Sequence, residues 1–330
     1  MVIITGANGF VGQHLAPRTL KYFKRSEIIC LISEKMRDPL LETRGQRILK
    51  KNGLKILKVD LVTGKGLDKL PKYPKLVIHL AANTDTSVTD HKVNDIGTKN
   101  LIKALSPNNK AHIIYTSTTA LMSGRANCSK QFNEQATPIP SNEYSRSKLR
   151  AEKFLIESSK KNKFSVTIAR LNTVYGGDPR KRKMFQALKE YIVKGSFITR
   201  LNWPGKTGII HVDDVVSALL DLAKKPPHEN KIQLYILNAE NLSLSEISQI
   251  MHHKMGINYK PINLPKLFWM LCSFGRKFLP LIEKLTTPSF YNLVWRVSLI
   301  VDNVIYCKSN KISKVLPKWK PRKIISVSEF

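Results

Sequence analysis

Tyr144 stands four residues before Lys148 in NEYSRSKLRAEKF, residues 142–154, a segment that reads as helix. Positions i and i+4 share a helical face, so phenol and ammonium can enter one cleft. A free tyrosine, with a pKa of about 10, is a poor base at neutral pH. An ammonium about 4 Å away favours the phenolate by about 4 kcal/mol at an effective dielectric of about 20, before burial subtracts from it. Since one pKa unit is about 1.4 kcal/mol, the pair is expected to bring the tyrosine near 7 and to move protons. On an ordinary solvated face it would do nothing; its neighbours decide.

VIITGANGFVGQHL, residues 2–15, sets Gly6, Gly9 and Gly12 at three-residue spacing between a strand and a helix. One glycine permits the tight turn, one lets the backbone approach a pyrophosphate, and one lets the helix pack closely on the sheet. The helix N-terminus then offers free N–H groups and partial positive charge to the phosphates. The expected ligand is a dinucleotide, held by Gly6, Asn8, Gly9, Phe10, Val11 and Gly12. The next strand ends CLISEKMR. Glu34 there would suit the free 2′-hydroxyl of NAD, whereas Lys35 or Arg37, beside Ser33, would suit the 2′-phosphate of NADP. Two cations flank the position, so the reading favours NADP over NAD.

The elements that must position these groups alternate. Strands are expected in MVIIT, EIICLIS, LKILKVD, KLVIHLAA, AHIIYTST, FSVTIARL and QLYILNA, with helical spacing between most of them, as over Phe10–Phe23 and Val93–Leu105. Continuous apolar strands separated by helices imply an α/β fold, a doubly wound parallel sheet of Rossmann type. After about residue 175 strand-like runs thin out and prolines gather. The expected organisation is a dinucleotide-binding domain over 1–175, with 208–239 returning to it, and a smaller, mostly helical substrate lobe over 176–330.

The resemblance that these motifs carry is to the extended branch of the short-chain dehydrogenase/reductase family, the NAD(P)-dependent epimerase/dehydratase group. TGANGFVG resembles its TGxxGxxG loop. VDL resembles its adenine-contacting segment, through Asp60 and Leu61, and HLAAN its cofactor-lining strand end, through Leu80, Ala81 and Ala82. NDIGTKNL, beginning at Asn94, resembles the helix that braces the site. YTSTTA followed by YSRSK resembles the Ser/Thr…Tyr-x-x-x-Lys catalytic set, which implies Thr118 as the holder of the substrate oxygen, rather than Ser117, with Tyr144 and Lys148. RLNTVYG and IIHVDDV resemble two later signatures. The matches run from residue 4 to about 238 in family order. The resemblance implies hydride transfer at a secondary alcohol or ketone of a small-molecule substrate, and a homodimer.

Substrate class is narrowed by departures from the pattern. Dehydratases of the group carry an Asp-Glu pair after the catalytic Thr, where this chain has Thr119 and Ala120. Nucleotide-sugar enzymes place an arginine four residues before the His of IHVDDV; here Thr207 stands there with Lys206 beside it. A sugar nucleotide and a lipophilic hydroxy or keto compound both stay open.

The chain of 330 residues is 42% hydrophobic, in the range of folded proteins, and carries a formal charge of +31. Such an excess favours acidic partners, so peripheral contact with an anionic membrane or nucleic acid stays open, as does a lysine-rich surface that is merely solvated. A nucleic-acid-binding protein on a dinucleotide fold and a membrane-surface sterol-type dehydrogenase/reductase are the competing readings. Cys30, Cys128, Cys272 and Cys307 form no ligand pattern and suit reduced, mostly buried thiols, with no metal site. A strand at Met1 and the absence of a long apolar run predict a cytoplasmic protein without a spanning helix. His79 and His211 read as core or supporting residues, and His252 and His253 as surface-helix residues without partners. Met and aromatic residues over 267–295 read as core or lid.

Overall fold

Runs such as VIIT and IICLI are apolar on both faces, and a parallel sheet covered by helices on both sides is what buries them. The computed structural model describes residues 1–106, 110–125, 130–177, 184–229 and 231–328. In chain order its main elements are β1 (Val2–Thr5), α1 (Phe10–Thr19), β2 (Ile28–Ser33), α2 (Pro39–Lys51), β3 (Lys55–Val59), β4 (Leu76–His79), α3 (Lys92–Lys103), β5 (His112–Thr118), α4 (Glu143–Lys161), β6 (Ser165–Leu171), β7 (Thr173–Tyr175), α5 (Met184–Val193), β8 (Lys206–His211), α6 (Val212–Ala223), β9 (Ile232–Leu237), β10 (Glu240–Ser243), α7 (Leu244–Lys254), α8 (Lys266–Gly275), α9 (Leu279–Leu285) and α10 (Pro288–Val301).

All seven runs expected as strands lie in one sheet, ordered β3-β2-β1-β4-β5-β6-β9, with every pairing parallel. Successive residues face opposite sides, so Ile4 and Ile114 join one core with Leu15 and Leu219, while Ile3 and Ile113 join the other with Leu101 and Leu155. The chain leaves β1 toward β2 on one side and returns as β4 on the other. That reversal opens a crevice at the carboxyl ends of β1 and β4, where folds of this kind bind ligands.

A second sheet, β10-β8-β7, was not anticipated. β7 and β10 are short, and β8 pairs parallel with β7 and antiparallel with β10. Position 208 must be glycine: a Cβ there would lie 2.4 Å from the Asn172 side chain.

Helices α8 to α10 follow around a small cluster of Leu279, Tyr291 and Trp295. The expectation that the aromatic and Met residues here are core or lid holds only for some of them. Trp269, Tyr291 and Trp295 turn inward, while Phe268, Met270, Phe274, Phe278 and Phe290 are exposed. Three short helices on one flank bury only a stripe each. His252 is also corrected: α7 packs its Ile247 and Met251 face inward, and carries His252 with it. Its Nδ1 donates to the Ser248 carbonyl at 2.8 Å and its ring meets Tyr259 edge-on.

Cys30 and Cys307 are buried and free, Cys272 is free and exposed, and Cys128 lies outside the described residues. Burial pushes the Cys30 and Cys307 thiols up to about 12. Among the described residues, no helix is long and apolar enough to cross a membrane.

Candidate active site

The turn after β1 is built by glycine sterics. Gly6 has φ of +63°, and a Cβ on it would lie 2.8 Å from the Ala81 amide nitrogen at the end of β4. A Cβ on Gly12 would fall 2.2 Å from the Gly6 carbonyl oxygen, so α1 seats directly on the turn. Gly9 differs: an added Cβ would meet only the Gly6 oxygen, at 3.1 Å. Gly9 is the N-cap of α1, with no side chain capping the helix and no acid in its first turn. The leading N–H groups are therefore left for an anion, which fits a dinucleotide pyrophosphate.

Thr5 ties the two strand ends together. Its hydroxyl accepts from the amides of Leu80 and Ala81 at 3.1 and 3.0 Å, and so donates to His79 Nδ1 at 2.6 Å. His79 Nε2 then donates to Thr98 Oγ1 at 2.9 Å, which donates to the Asn94 carbonyl. Burial, helped by the Lys148 charge, pulls His79 down to about 3, in keeping with this neutral, supporting role.

Helix α4 begins at a capping box in which Asn142 Oδ1 accepts from the Ser145 amide at 2.9 Å. The cap places Tyr144 in the first turn and Lys148 in the second. Cross-links from α3 hold the helix in place: Asn94 Nδ2 donates to Ser147 Oγ at 3.0 Å, and Arg150 pairs with Asp95 at 2.6 Å. Deeper along the same face, Glu152 forms a buried two-pronged pair with Arg170 of β6.

These elements converge on a cavity of about 1410 Å³. Gly6, Asn8, Gly9, Phe10, Val11, Gly12, Ser33, Lys35, Arg37, Asp60, Leu61, Leu80, Ala81 and Ala82 line it together with Thr118, Tyr144 and Lys148. Asn94 does not line it. It is fully buried, with Oδ1 accepting from the Asn83 amide and Nδ2 divided between the Asn83 carbonyl and Ser147. It is a brace between strand end and helix.

Lys148 is buried, donates to the Thr116 carbonyl at 2.7 Å, and lies 4.3 Å from the Tyr115 ring centroid. Burial drives it down to about 7, against the pull of Glu152. Burial also raises the Tyr144 phenol above its ordinary value, while a hydrogen bond with the Thr118 hydroxyl opposes the rise. The sequence expectation of a phenol brought near 7 by a full ammonium charge is thus corrected for the chain alone. Desolvation dominates at the phenol, and the group brought to about 7 is the lysine.

Just past the carboxyl end of β3, Asp60 is pushed up by burial, yet the amides of Thr63 and Val62 hold its carboxylate below the usual range. Glu34 pairs with Lys65 at 3.2 Å on the exposed surface.

The cavity is also lined by Tyr175 of the RLNTVYG signature and by residues that no motif marked: Phe185, Asn292, Trp295, Arg296 and Leu299. Helix α10 is fastened there by Trp295, whose Nε1 donates to Ser141 Oγ at 2.8 Å, next to the α4 cap. Lys206 is drawn to Glu246 at 3.2 Å and does not line the cavity, whereas Thr207 does. The buried polar atoms Ser117 Oγ, Tyr175 Oη and Asn292 Oδ1 have no hydrogen-bond partner among the described residues, and all three residues line the cavity.

The chain is 28% identical over 243 residues to a dTDP-D-glucose 4,6-dehydratase of Dictyostelium discoideum, covering 68% of this chain but only 55% of that protein. It is 23% identical over 294 residues to a UDP-glucose 4-epimerase of Vibrio cholerae, covering 84% of this chain and 82% of the relative. The fold superposes on a UDP-glucuronic acid 4-epimerase from Bacillus cereus, solved with UDP-glucuronic acid and NAD, with a TM-score of 0.74 at 20% identity, over 98% of this chain and 95% of that one. A family model matches residues 2–236, well over half the chain. With the glycine turn, the Tyr-x-x-x-Lys helix and the doubly wound sheet in place, the chain belongs to the NAD dependent epimerase/dehydratase family.

Proposed function

We propose that the protein is an NAD(P)-dependent enzyme that oxidises and reduces a secondary alcohol on a sugar nucleotide, as an epimerase or oxidoreductase and without dehydration. The observation that carries the reading is the meeting of Thr118, Tyr144 and Lys148 with the glycine turn in one cavity. At about 1410 Å³ the space exceeds the roughly 300–1,000 Å³ of a single small-ligand pocket, so a dinucleotide and a second ligand fit together.

Bound there, the nicotinamide would accept and return the hydride. The Thr118 hydroxyl holds the reacting oxygen and Tyr144 takes or gives its proton. Lys148 in its charged form favours the phenolate while that proton is away. Residues outside the sheet domain, from α5 and α10, form the substrate side.

The unpartnered polar atoms of Ser117, Tyr175 and Asn292 favour a sugar over a lipophilic substrate. Buried polar groups need hydrogen bonds, which sugar hydroxyls supply and a sterol-like skeleton does not. Arg296 of α10, exposed at the cavity, is the cation placed to meet a diphosphate, since Lys206 is engaged with Glu246.

Dehydration is set aside on the residues beside Tyr144. Elimination needs an acid and a base besides the tyrosine. The acids lining the cavity are Glu34, Asp38, Glu42, Asp60, Asp85 and Asp90, none of them on the strands or helices that carry Thr118, Tyr144 and Lys148. Thr119, where dehydratases are expected to carry an acid, donates to Asn172 Oδ1 at 2.8 Å.

Incubation with NAD(P) and a panel of UDP- and dTDP-hexoses, read by mass spectrometry and NMR, tests this. Inversion or oxidation at one carbon is expected. A product lighter by one water would overturn the non-dehydrating reading, and turnover of steroid alcohols alone would overturn the sugar substrate.

A further inference from the structure

Among the described residues, eleven large apolar side chains between residues 267 and 297 are exposed. Leu267 is 65% exposed, Met270 66%, Leu271 65% and Leu285 74%, values expected of lysines rather than of leucines in a folded lobe. Phe274 and Phe278 touch each other edge-on at 5.8 Å, and α10 adds Phe290, Leu293 and Val297. A monomeric soluble protein rarely leaves such a patch uncovered.

Charge around the patch has one sign. From Lys266 to Val301 there are five basic residues and a single acid, Glu283. Glu283 is paired with Arg146 at 2.5 Å. Lys266, Lys277 and Lys284 are exposed, and Lys277 lies over the Phe274 ring at 4.8 Å. Short helices with Phe and Leu on one side and lysines at the margin match the physics of insertion into an anionic bilayer interface. None of these helices is long enough to span.

We infer that α8, α9 and the outer side of α10 form a docking face for an anionic membrane surface. The partner is chosen by charge complementarity: a protein of net charge +31 with lysines ringing an apolar patch meets anionic headgroups favourably. The face lies against the candidate site, because α10 turns Leu293 and Val297 outward while Asn292 and Trp295 line the cavity. This inference does not depend on the substrate proposed above.

Flotation of the full chain with vesicles of phosphatidylcholine, with and without phosphatidylglycerol, tests it. Binding is expected only with the anionic lipid and is expected to weaken as salt rises. The Leu271→Ser, Phe274→Ser, Phe278→Ser triple variant should lose it. Charge reversal at Lys266, Lys277 and Lys284 should weaken it by at least roughly fivefold for each lysine. Melting temperature and dinucleotide binding should match the parent in both variants, which separates loss of the face from loss of the fold. Absence of flotation with anionic vesicles would overturn the inference. So would a stable dimer that Leu271→Glu splits into monomers, since the face would then be covered by a second copy.

Discussion

Arg170 of β6 grips Glu152 of α4 with two hydrogen bonds, Nε to Oε1 at 3.0 Å and Nη2 to Oε2 at 2.7 Å, and both side chains are buried. Glu152 lies one helical turn beyond Lys148, and its charge is what keeps that lysine from falling further below about 7. Glu152→Gln should therefore lower the Lys148 pKa. If turnover needs the ammonium, the alkaline fall in kcat/KM moves to lower pH. A pH profile with an unmoved alkaline limb would remove Lys148 from that role. Glu152→Ala, which strands the guanidinium, should cost about 3–5 kcal/mol in urea denaturation.

Tyr144→Phe removes the proton carrier and little else. General acid–base groups contribute about 10²–10⁴-fold, and a loss of that size in kcat is expected. Dinucleotide binding, measured by titration calorimetry, should stay near the parent value, because the glycine turn and α1 are untouched. Full activity in the variant would discard Tyr144 as the proton carrier.

Lys148 should also be visible in stability. Its pKa is about 7 in the fold against 10.5 for an ordinary lysine, so between those values the unfolded chain binds the additional proton. Stability from this group therefore rises with pH across that window and is lowest below about 7, where burial of the charge costs its full amount. Lys148→Met is expected to melt higher than the parent near pH 7, by at least about 1 kcal/mol, with the gain shrinking toward pH 10. A variant less stable at every pH would show that the hydrogen bond to Thr116 outweighs the desolvation.

The main sheet was legible because β1, β2, β4, β5 and β6 are apolar, largely β-branched runs buried almost throughout, a pattern that needs no partner to be read, while the half-buried edge strands β3 and β9 keep enough apolar residues to continue it. β7 and β10 lack it: TVY and ENLS are short and mostly half-buried. β8 is buried along most of its length but is interrupted by Gly208, whose close contact with Asn172 is a tertiary feature. The glycine turn, Thr118, Tyr144 and Lys148 could be named because their spacing is local to one turn, strand end or helix. Asn292, Trp295 and Arg296 reach the cavity from about 150 residues further along the chain, on a helix whose apolar periodicity says only that it packs. Glu152 was within reach: positions 144, 148 and 152 repeat every four residues, so an acid there shares the face of the pair. The fall of Lys148 to about 7 was not, since it depends on how completely Thr116 and Tyr115 enclose the ammonium.

Gly9 and Gly12 should respond differently to alanine. At Gly12 the new methyl would sit 2.2 Å from the Gly6 oxygen and 2.7 Å from Ala7 backbone, so the turn and α1 must separate. Overpacking of this kind costs at least about 1–3 kcal/mol, readable in thermal or urea melts. At Gly9 the contact is 3.1 Å and the methyl is accommodated by a small shift. Gly9→Ala should melt near the parent while binding dinucleotide at least about tenfold more weakly, because the backbone can no longer approach the pyrophosphate. Equal binding by both proteins would place the phosphates elsewhere.

Cofactor preference turns on the carboxyl end of β2. Lys35 and Arg37 line the cavity, and the charge of Lys35 reaches the Asp60 carboxylate. Glu34, the group suited to a free 2′-hydroxyl, is paired with Lys65. That pair competes with a free 2′-hydroxyl for Glu34, and a 2′-phosphate between the two cations is expected to be the stronger interaction. Arg37→Ser should weaken NADP by about tenfold and leave NAD nearly unchanged, whereas Lys65→Ala should free Glu34 and improve NAD. Fluorescence titration of the reduced dinucleotides distinguishes these outcomes. If Arg37→Ser instead weakened both dinucleotides equally, Arg37 would be holding the pyrophosphate or packing α2, and the preference would rest on Glu34 and NAD.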